Sequence, residues 1–321
     1  MKISNSREFL TFPMFDLEES TVIREPEVNK PGSWVGAPSV TELGGDIYLT
    51  YRIRRPKGEG RGVINRIARS KDGINFQDVF EINKKMLGNT PSIERSCLVR
   101  TDLNFRLYFS YVNPENNMWQ IDYVEAESLE ELDISSRKKV LDGNMIRASG
   151  VKDPWIIRVG DYFLMYVSYA PLPNKNEPGL HATADAFATG LTTSQSALLI
   201  SKDGINFSWS GEVIGLGNSW DSSTTRISSI AKINGGYVAF YDGASTIEEN
   251  YEEKCGIAFG TDLKTFNRIS ISEPYIQSQS GNSVRYVDTI RLGNSFLFYF
   301  EMTRDDGSHE LRVAKVDSFR W

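Results

Sequence analysis

The sequence predicts an all-β chain organised as a five-bladed β-propeller. Three observations carry this. Short aromatic-rich runs of strand length occur five times in the 321 residues, and each follows a second short apolar segment and a Gly/Asn/Asp turn. Equivalent positions recur about every 60 residues, with almost no helical pattern between them. Four strands in an interval of that length make a propeller blade. The same pattern also allows a two-sheet sandwich followed by a second domain.

The second strands are read at 47–52 (IYLTYR), 105–112 (FRLYFSYV), 162–169 (YFLMYVSY), 237–243 (YVAFYDG) and 296–301 (FLFYFE). Such runs suit a buried strand and are too short for a core helix. The first strands precede them at 37–43, 95–100, 153–158, 227–233 and 286–292. Pro38, Ser96 and Pro154 lie 58 residues apart, and Lys232 and Arg291 lie 59 apart. Third strands run into an Asp-Gly turn, a strong hairpin signal, at 68–76 (ARSKDGINF) and 199–207 (LISKDGINF). A looser copy is 259–266 (FGTDLKTF). Only 127–139 has the pattern of a helical turn. The repeats are placed at 34–83, 91–141, 146–214, 219–272 and 282–317 of one domain, with residues 1–33 as an arm. Residues 310–317 give repeat five only a third strand, so its outer strand is expected from residues 8–16.

Composition narrows the function. Thirty-six Lys and Arg against 42 Asp and Glu give a net charge of −6. That argues against a nucleic-acid partner, whose phosphates are met by basic residues. Two cysteines and two histidines exclude a disulfide framework and a four-cysteine zinc site, and no metal or organic cofactor is expected. No apolar run reaches the ~18 residues of a membrane span, and the first residues lack the apolar stretch of a secretory signal. The chain is therefore expected in the cytoplasm, away from membranes; its oligomeric state is not legible.

Topology sorts the polar residues. Call the face on which each first strand begins the proximal face. Loops between second and third strands return to it, and the Asp-Gly turns lie on the distal face. Lys71, Asp72, Lys202 and Asp203 are thus read as structural. The axial pocket on the proximal face collects Trp34, Glu94, Arg95, Lys152, Asp153, Trp220, Asp221, Arg226, Arg285, Tyr286 and Asp288 from the first strands, with Arg52, Tyr169, Asp242 and Glu301 from the second. Buried polar groups are costly unless they pair or bind something. His181, in the long loop 171–196, is a candidate substrate contact. His309 reads as a turn residue on the proximal, substrate side, and 248–254 (EENYEEK) as a solvated loop.

The segments 34–52, 67–76, 151–169 and 198–207 resemble the five-bladed propeller glycosidases, the superfamily of glycoside hydrolase families 43, 32, 62, 68 and 130. The resemblance implies cleavage of glycosidic bonds at the axial pocket. Lys152-Asp153-Pro154 is similar to the Asp-Pro of families 43 and 32, whose Asp tunes the acid's pKa or stabilises the transition state. The chain also departs from the pattern. Ala37-Pro38 stands where relatives carry the Asp-Pro of the base or nucleophile, and Glu94-Arg95-Ser96 where family 130 shows Asp-Pro-Arg. Relocated catalysis, a changed reaction such as phosphorolysis, and binding without catalysis all stay open.

Glycoside cleavage needs an acid at the leaving oxygen and a second carboxylate across the ring. Glu94, Asp153, Asp221 and Asp288 form the expected pool, with Glu94 as acid, Asp221 as base and Asp153 as modulator. Trp34 and Trp220 are expected to stack on a sugar, with Arg95, Arg226, Asp242, Arg285, Tyr286, Glu301 and His181 around it. Arg95, Arg226 and Arg285 are expected at matching depths, a ring suited to an anionic carbohydrate.

Overall fold

The computed structural model describes residues 14–175, 177–278 and 282–317. Their regular secondary structure is nearly all strand. β1 (Thr21–Arg24) precedes the first repeat. Repeat one comprises β2 (Trp34–Leu43), β3 (Asp46–Arg54), β4 (Gly62–Ser70) and β5 (Gln77–Asn83). Repeat two has β6 (Ile93–Arg100), β7 (Phe105–Val112), β8 (Trp119–Ala126) and β9 (Lys138–Asp142). Repeat three has β10 (Ala148–Val159), β11 (Tyr162–Pro171), β12 (Gln195–Ser201) and β13 (Ser208–Ile214). Repeat four has β14 (Thr224–Ile233), β15 (Gly236–Ala244), β16 (Lys254–Gly260) and the short β17 (Asn267–Arg268). Repeat five has β18 (Val284–Leu292), β19 (Ser295–Thr303) and β20 (His309–Asp317). Each repeat is an antiparallel meander in chain order. The 127–139 stretch holds two 3₁₀ turns, Leu129–Glu131 and Ile134–Ser136.

The fourth strand of repeat five comes from the N-terminal arm. It is β1, antiparallel to β20 with Thr21 opposite Val313. The strand therefore lies closer to repeat one than expected; residues 8–13 of the span assigned to it lie outside the described residues. Phe15 packs on Phe298 and Phe300 instead, with ring centroids 4.8 and 4.9 Å apart.

The core lies between repeats. Five apolar clusters each join two neighbours: Ile67 with Leu107, Val99 with Ile156, Leu198 with Ile230, Phe240 with Phe298, and Leu49 with Leu297. β3 is buried along its whole length, which explains its near-continuous apolar run. Small polar side chains add lateral hydrogen bonds. Thr50 donates to Ser96 O at 2.7 Å, Ser196 to Thr225 O at 2.7 Å and Ser229 to Val287 O at 2.7 Å. Ser110 Oγ accepts from Asp153 N at 3.3 Å. Val40 N donates to Asp288 at 2.9 Å, so repeat five returns to repeat one.

Every first strand is interrupted at one level. Pairing with the second strand breaks between Gly36 and Ser39, Ile93 and Ser96, Lys152 and Trp155, Ile227 and Ser229, and Arg285 and Asp288. Such bulges re-aim side chains. Ala37, Asp153 and Tyr286 sit inside them with φ of +50°, +56° and +54°. For non-glycine residues that conformation costs about 1–3 kcal/mol each and persists where the surroundings enforce it.

Candidate functional site: a charged axial chamber

The five interrupted strands aim their polar residues at a common centre. Just proximal to the break, Lys152 pairs with Ser168, Arg226 with Asp242, and Arg285 with Glu301 across each hairpin. In repeat one Gly36 faces Arg52. Gly36 is needed there, since a Cβ would fall 2.1 Å from Glu301 Oε2.

The side chains form a chain of alternating charge. Glu94 accepts from Arg52 Nε at 2.7 Å and Arg54 Nη1 at 3.0 Å. Glu301 accepts from Arg52 Nη2 at 3.2 Å, from Arg285 Nε and Nη2 at 3.1 and 2.7 Å, and from Ala37 N at 2.9 Å. Arg285 Nη1 pairs with Glu253, which also lies 3.2 Å from Arg226 Nη1. Arg226 Nε and Nη2 hold Asp242 at 3.1 and 3.0 Å, and Nη1 lies 3.7 Å from Asp153, as does Lys152 Nζ. Arg52, Arg54, Lys152, Arg226 and Arg285 thus face Glu94, Asp153, Asp242, Glu253 and Glu301. All ten are buried, and their formal charges cancel.

Burial pushes the Glu94 carboxyl up, but Arg52, Arg54 and Lys152 outweigh it and hold it at about 2. Glu253 is likewise held at about 2 against its burial, by Arg226 and Arg285, and Glu301 lies well below the ordinary range. Asp242 is raised, by burial and then by Glu253. Asp288 is raised to about 6 by burial.

These positions correct several expectations. Glu94 is an ionised clamp, which does not suit a proton donor. Asp221 is off the axis: its Oδ2 accepts from Tyr241 Oη at 2.9 Å and Arg268 Nε at 2.6 Å, within repeat four. Trp220 stacks on Tyr241 at 5.6 Å and donates to Ser270 O at 3.0 Å, so it packs repeat four instead of offering a sugar platform. Asp288 lies beyond the break and accepts from Val40 N at 2.9 Å, Thr289 N at 2.8 Å and Trp155 Nε1 at 3.1 Å, closing the chamber floor. Arg95 belongs to the break itself, two residues past Ile93, and does not share the depth of Arg226 and Arg285. Its Nη1 reaches Ser228 O at 2.6 Å and its Nη2 Asp288 at 3.4 Å. Trp34 is at the chamber, but its ring stacks on His309 at 4.5 Å, with the Arg54 guanidinium 4.5 Å from its centroid. Its own chain fills the place of a sugar. His181 is half-buried in its loop, and burial lowers its pKa.

Asp153, Tyr286, Asp242, Arg226, Arg285 and Glu301 do converge. The Tyr286 ring lies 4.1 Å from the Arg226 guanidinium carbon, and its hydroxyl is 3.4 Å from Asp153 Oδ2. Among the chamber side chains four buried polar atoms have no partner: Asp153 Oδ1, Arg52 Nη1, Arg54 Nε and Trp34 Nε1. They would serve the hydroxyls of a ligand, one as acceptor and three as donors. Among the described residues no group of three or more His, Cys, Asp and Glu side chains is arranged to hold a metal ion.

Two proximal loops roof the chamber. Asp185 takes Arg61 Nη2 at 2.9 Å, Trp119 Nε1 at 2.9 Å and Tyr251 Oη at 3.1 Å, tying four repeats together. The stretch read as solvated turns inward: Glu253 is buried and Glu252 Oε1 lies 3.0 Å from His309 Nε2. His309 is no turn residue; it opens β20, fully buried, 2.6 Å from Glu301. Arg54, Asp185, Tyr251, Glu253 and His309 are the site residues the sequence reading missed. The one usable signal was that both loops follow second strands and so lie on the proximal face.

No family model matches the chain, and no curated protein matches it. Solved structures do. A glycosyl hydrolase from Bacteroides ovatus superposes with a TM-score of 0.61 at 16% identity, over 97% of this chain and 95% of that one. The GH43_1 enzyme from Xanthomonas citri complexed with xylotriose gives 0.59 at 12% identity, over 92% and 90%. The β-1,2-mannobiose phosphorylase from Listeria innocua with β-1,2-mannobiose gives 0.57 at 15% identity, over 97% and 93%. The fold is that of the propeller glycosidases, as the sequence resemblance implied.

Proposed function

We propose that the five repeats are the blades of one five-bladed propeller domain, and that the protein binds a carbohydrate in the axial chamber and cleaves a glycosidic bond there. The carrying observation is Asp153. Its backbone is held at φ +56°, and its Oδ1 is buried without a partner. A carboxylate oxygen kept free at such a cost is placed for a substrate hydroxyl or for developing positive charge on a sugar ring. Lys152, Arg226 and Tyr286 fix its other oxygen.

Incubation with a panel of aryl glycosides and oligosaccharides, with and without phosphate, tests the reading. Turnover is expected, and Asp153→Asn should lower it about 10²-fold or more. Turnover only with phosphate would make the reaction a phosphorolysis. A second reading is carbohydrate binding without turnover. It is favoured by Ala37 at the place of the usual first-blade carboxylate and by the arginines that neutralise Glu94, Glu253 and Glu301. Binding of a sugar with no turnover of any substrate selects it; neither binding nor turnover overturns both.

A further inference from the structure

We propose that Arg226 and Arg285 form a carboxylate receptor, that Glu253 is its resident occupant, and that the ligand is an anionic, uronate-type sugar whose carboxylate takes Glu253's place. This rests on reading the chamber as a carbohydrate site.

The two arginines are oriented without Glu253. Asp242 holds Nε and Nη2 of Arg226, at 3.1 and 3.0 Å, and Glu301 holds the same edge of Arg285, at 3.1 and 2.7 Å. Both partners stand on second strands, inside the sheets. Nη1 of each arginine is turned to Glu253, and that of Arg226 also lies 3.7 Å from Asp153. Two guanidinium edges fixed from behind and converging on one carboxylate make a receptor whose donors need no reorganisation.

Glu253 differs from the other four anions of the chamber. They stand on strands β6, β10, β15 and β19, whereas Glu253 ends the loop between β15 and β16. Contacts hold that loop down: Tyr251 on Asp185 at 3.1 Å, Glu252 on Thr303 at 2.7 Å and beside His309 at 3.0 Å, and Glu253 O accepting from Ser283 Oγ at 2.5 Å. Tyr251 itself carries a φ of +89°. A strained segment anchored by three consecutive side chains can lift as a unit.

Charge decides what could replace Glu253. With it, the chamber's five cations meet five anions; once it leaves, four anions remain. A neutral sugar would leave that positive charge buried and unpaired, which is costly. A monoanionic sugar restores neutrality. Its hydroxyls would find Asp153 Oδ1 as acceptor and Arg52 Nη1, Arg54 Nε and Trp34 Nε1 as donors, the unpartnered atoms of the chamber side chains.

The wild-type protein tests this directly. Hydrogen exchange across residues 245–253 is measured with D-glucuronate or D-galacturonate, with D-glucose or D-galactose, and with inorganic phosphate. Uronates should raise exchange in that loop and the neutral sugars should not. Glu253→Gln keeps the side chain's size and removes its charge; it should tighten uronate binding about tenfold or more and change neutral-sugar binding less than twofold. Uronates that bind neither protein, uronate affinity that tightens no more than neutral, or a loop response to phosphate alone would each overturn the proposal. Neutral sugars bound or cleaved by a protein that binds no uronate would leave the carbohydrate reading standing while this inference fails. No sugar of either kind bound or cleaved would remove both.

Discussion

The distal Asp turns and the proximal chamber both hold carboxylates well below the usual range, by opposite means. Asp72 accepts from the backbone of Ile74 and Asn75 at 2.9 and 2.8 Å and from its own turn's Asn75 side chain at 2.7 Å. Asp203 repeats this on Ile205 and Asn206. Every donor lies within three residues, and the side chains are exposed. Glu301 is fully buried, and its partners Arg52, Arg285, His309 and Ala37 come from repeats one and five. A local carboxylate stabilises a turn; a non-local one stabilises the assembly of repeats, and it is costly to disturb because its partners stay buried.

The largest expected effect follows from that difference. Glu301→Ala leaves two buried arginines without their shared anion, and should cost about 3–5 kcal/mol in urea unfolding. A loss below about 1 kcal/mol would show that the chamber does not hold the repeats together.

The pH dependence sharpens the comparison. Glu94 and Glu253 titrate near 2 in the folded protein against an ordinary 4.5. The unfolded chain therefore binds more protons between these values, so stability is lost as pH falls from about 4.5 to 2. Asp288 runs the other way. Its folded value near 6 exceeds the ordinary 3.8, so the folded protein binds the extra proton and stability declines as pH rises from about 4 to 6. Unfolding midpoints measured from pH 2.5 to 7 should rise and then decline slightly. Asp288→Asn should reduce the decline, leaving only what the raised Asp242 contributes; an unchanged decline in that variant would exclude Asp288 as the cause.

The same contrast explains what the sequence made legible. The fivefold rhythm and the Asp-Gly turns are local patterns, and each was read where it occurs. Chamber membership is not local. Arg95 lies inside its bulge, whereas Arg226 and Arg285 lie just before theirs, and strand alternation does not mark where a bulge adds its residue. Asp221 and Trp220 precede β14 by only a few residues, yet they turn toward Arg268 and Ser270 on the outer side of repeat four. Glu253 and Tyr251 sit in a stretch whose composition is that of a solvated loop, and only the inward turn of that loop reveals them. Lys152, Asp153, Arg226 and Arg285 were legible because an unusual charge density on a buried strand needs a reason.

The smallest expected effect lies in the distal turns. Asp72→Ala removes four hydrogen bonds, the fourth from Ser70 Oγ at 2.9 Å, but water can reach the freed donors of an exposed turn. The net cost should then be about 0.5–1.5 kcal/mol, far below the gross strength of the bonds. Asp203→Ala removes the same set in repeat three and should cost about the same. The two turns share no partner, so the double variant should equal the sum of the singles within about 0.5 kcal/mol. Sugar binding in the chamber should be unchanged, since the turns sit at the far end of the strands. A double variant that loses much more than that sum, or that alters binding, would mean that the distal turns couple the repeats as the chamber does, and the division between local and non-local carboxylates would fail.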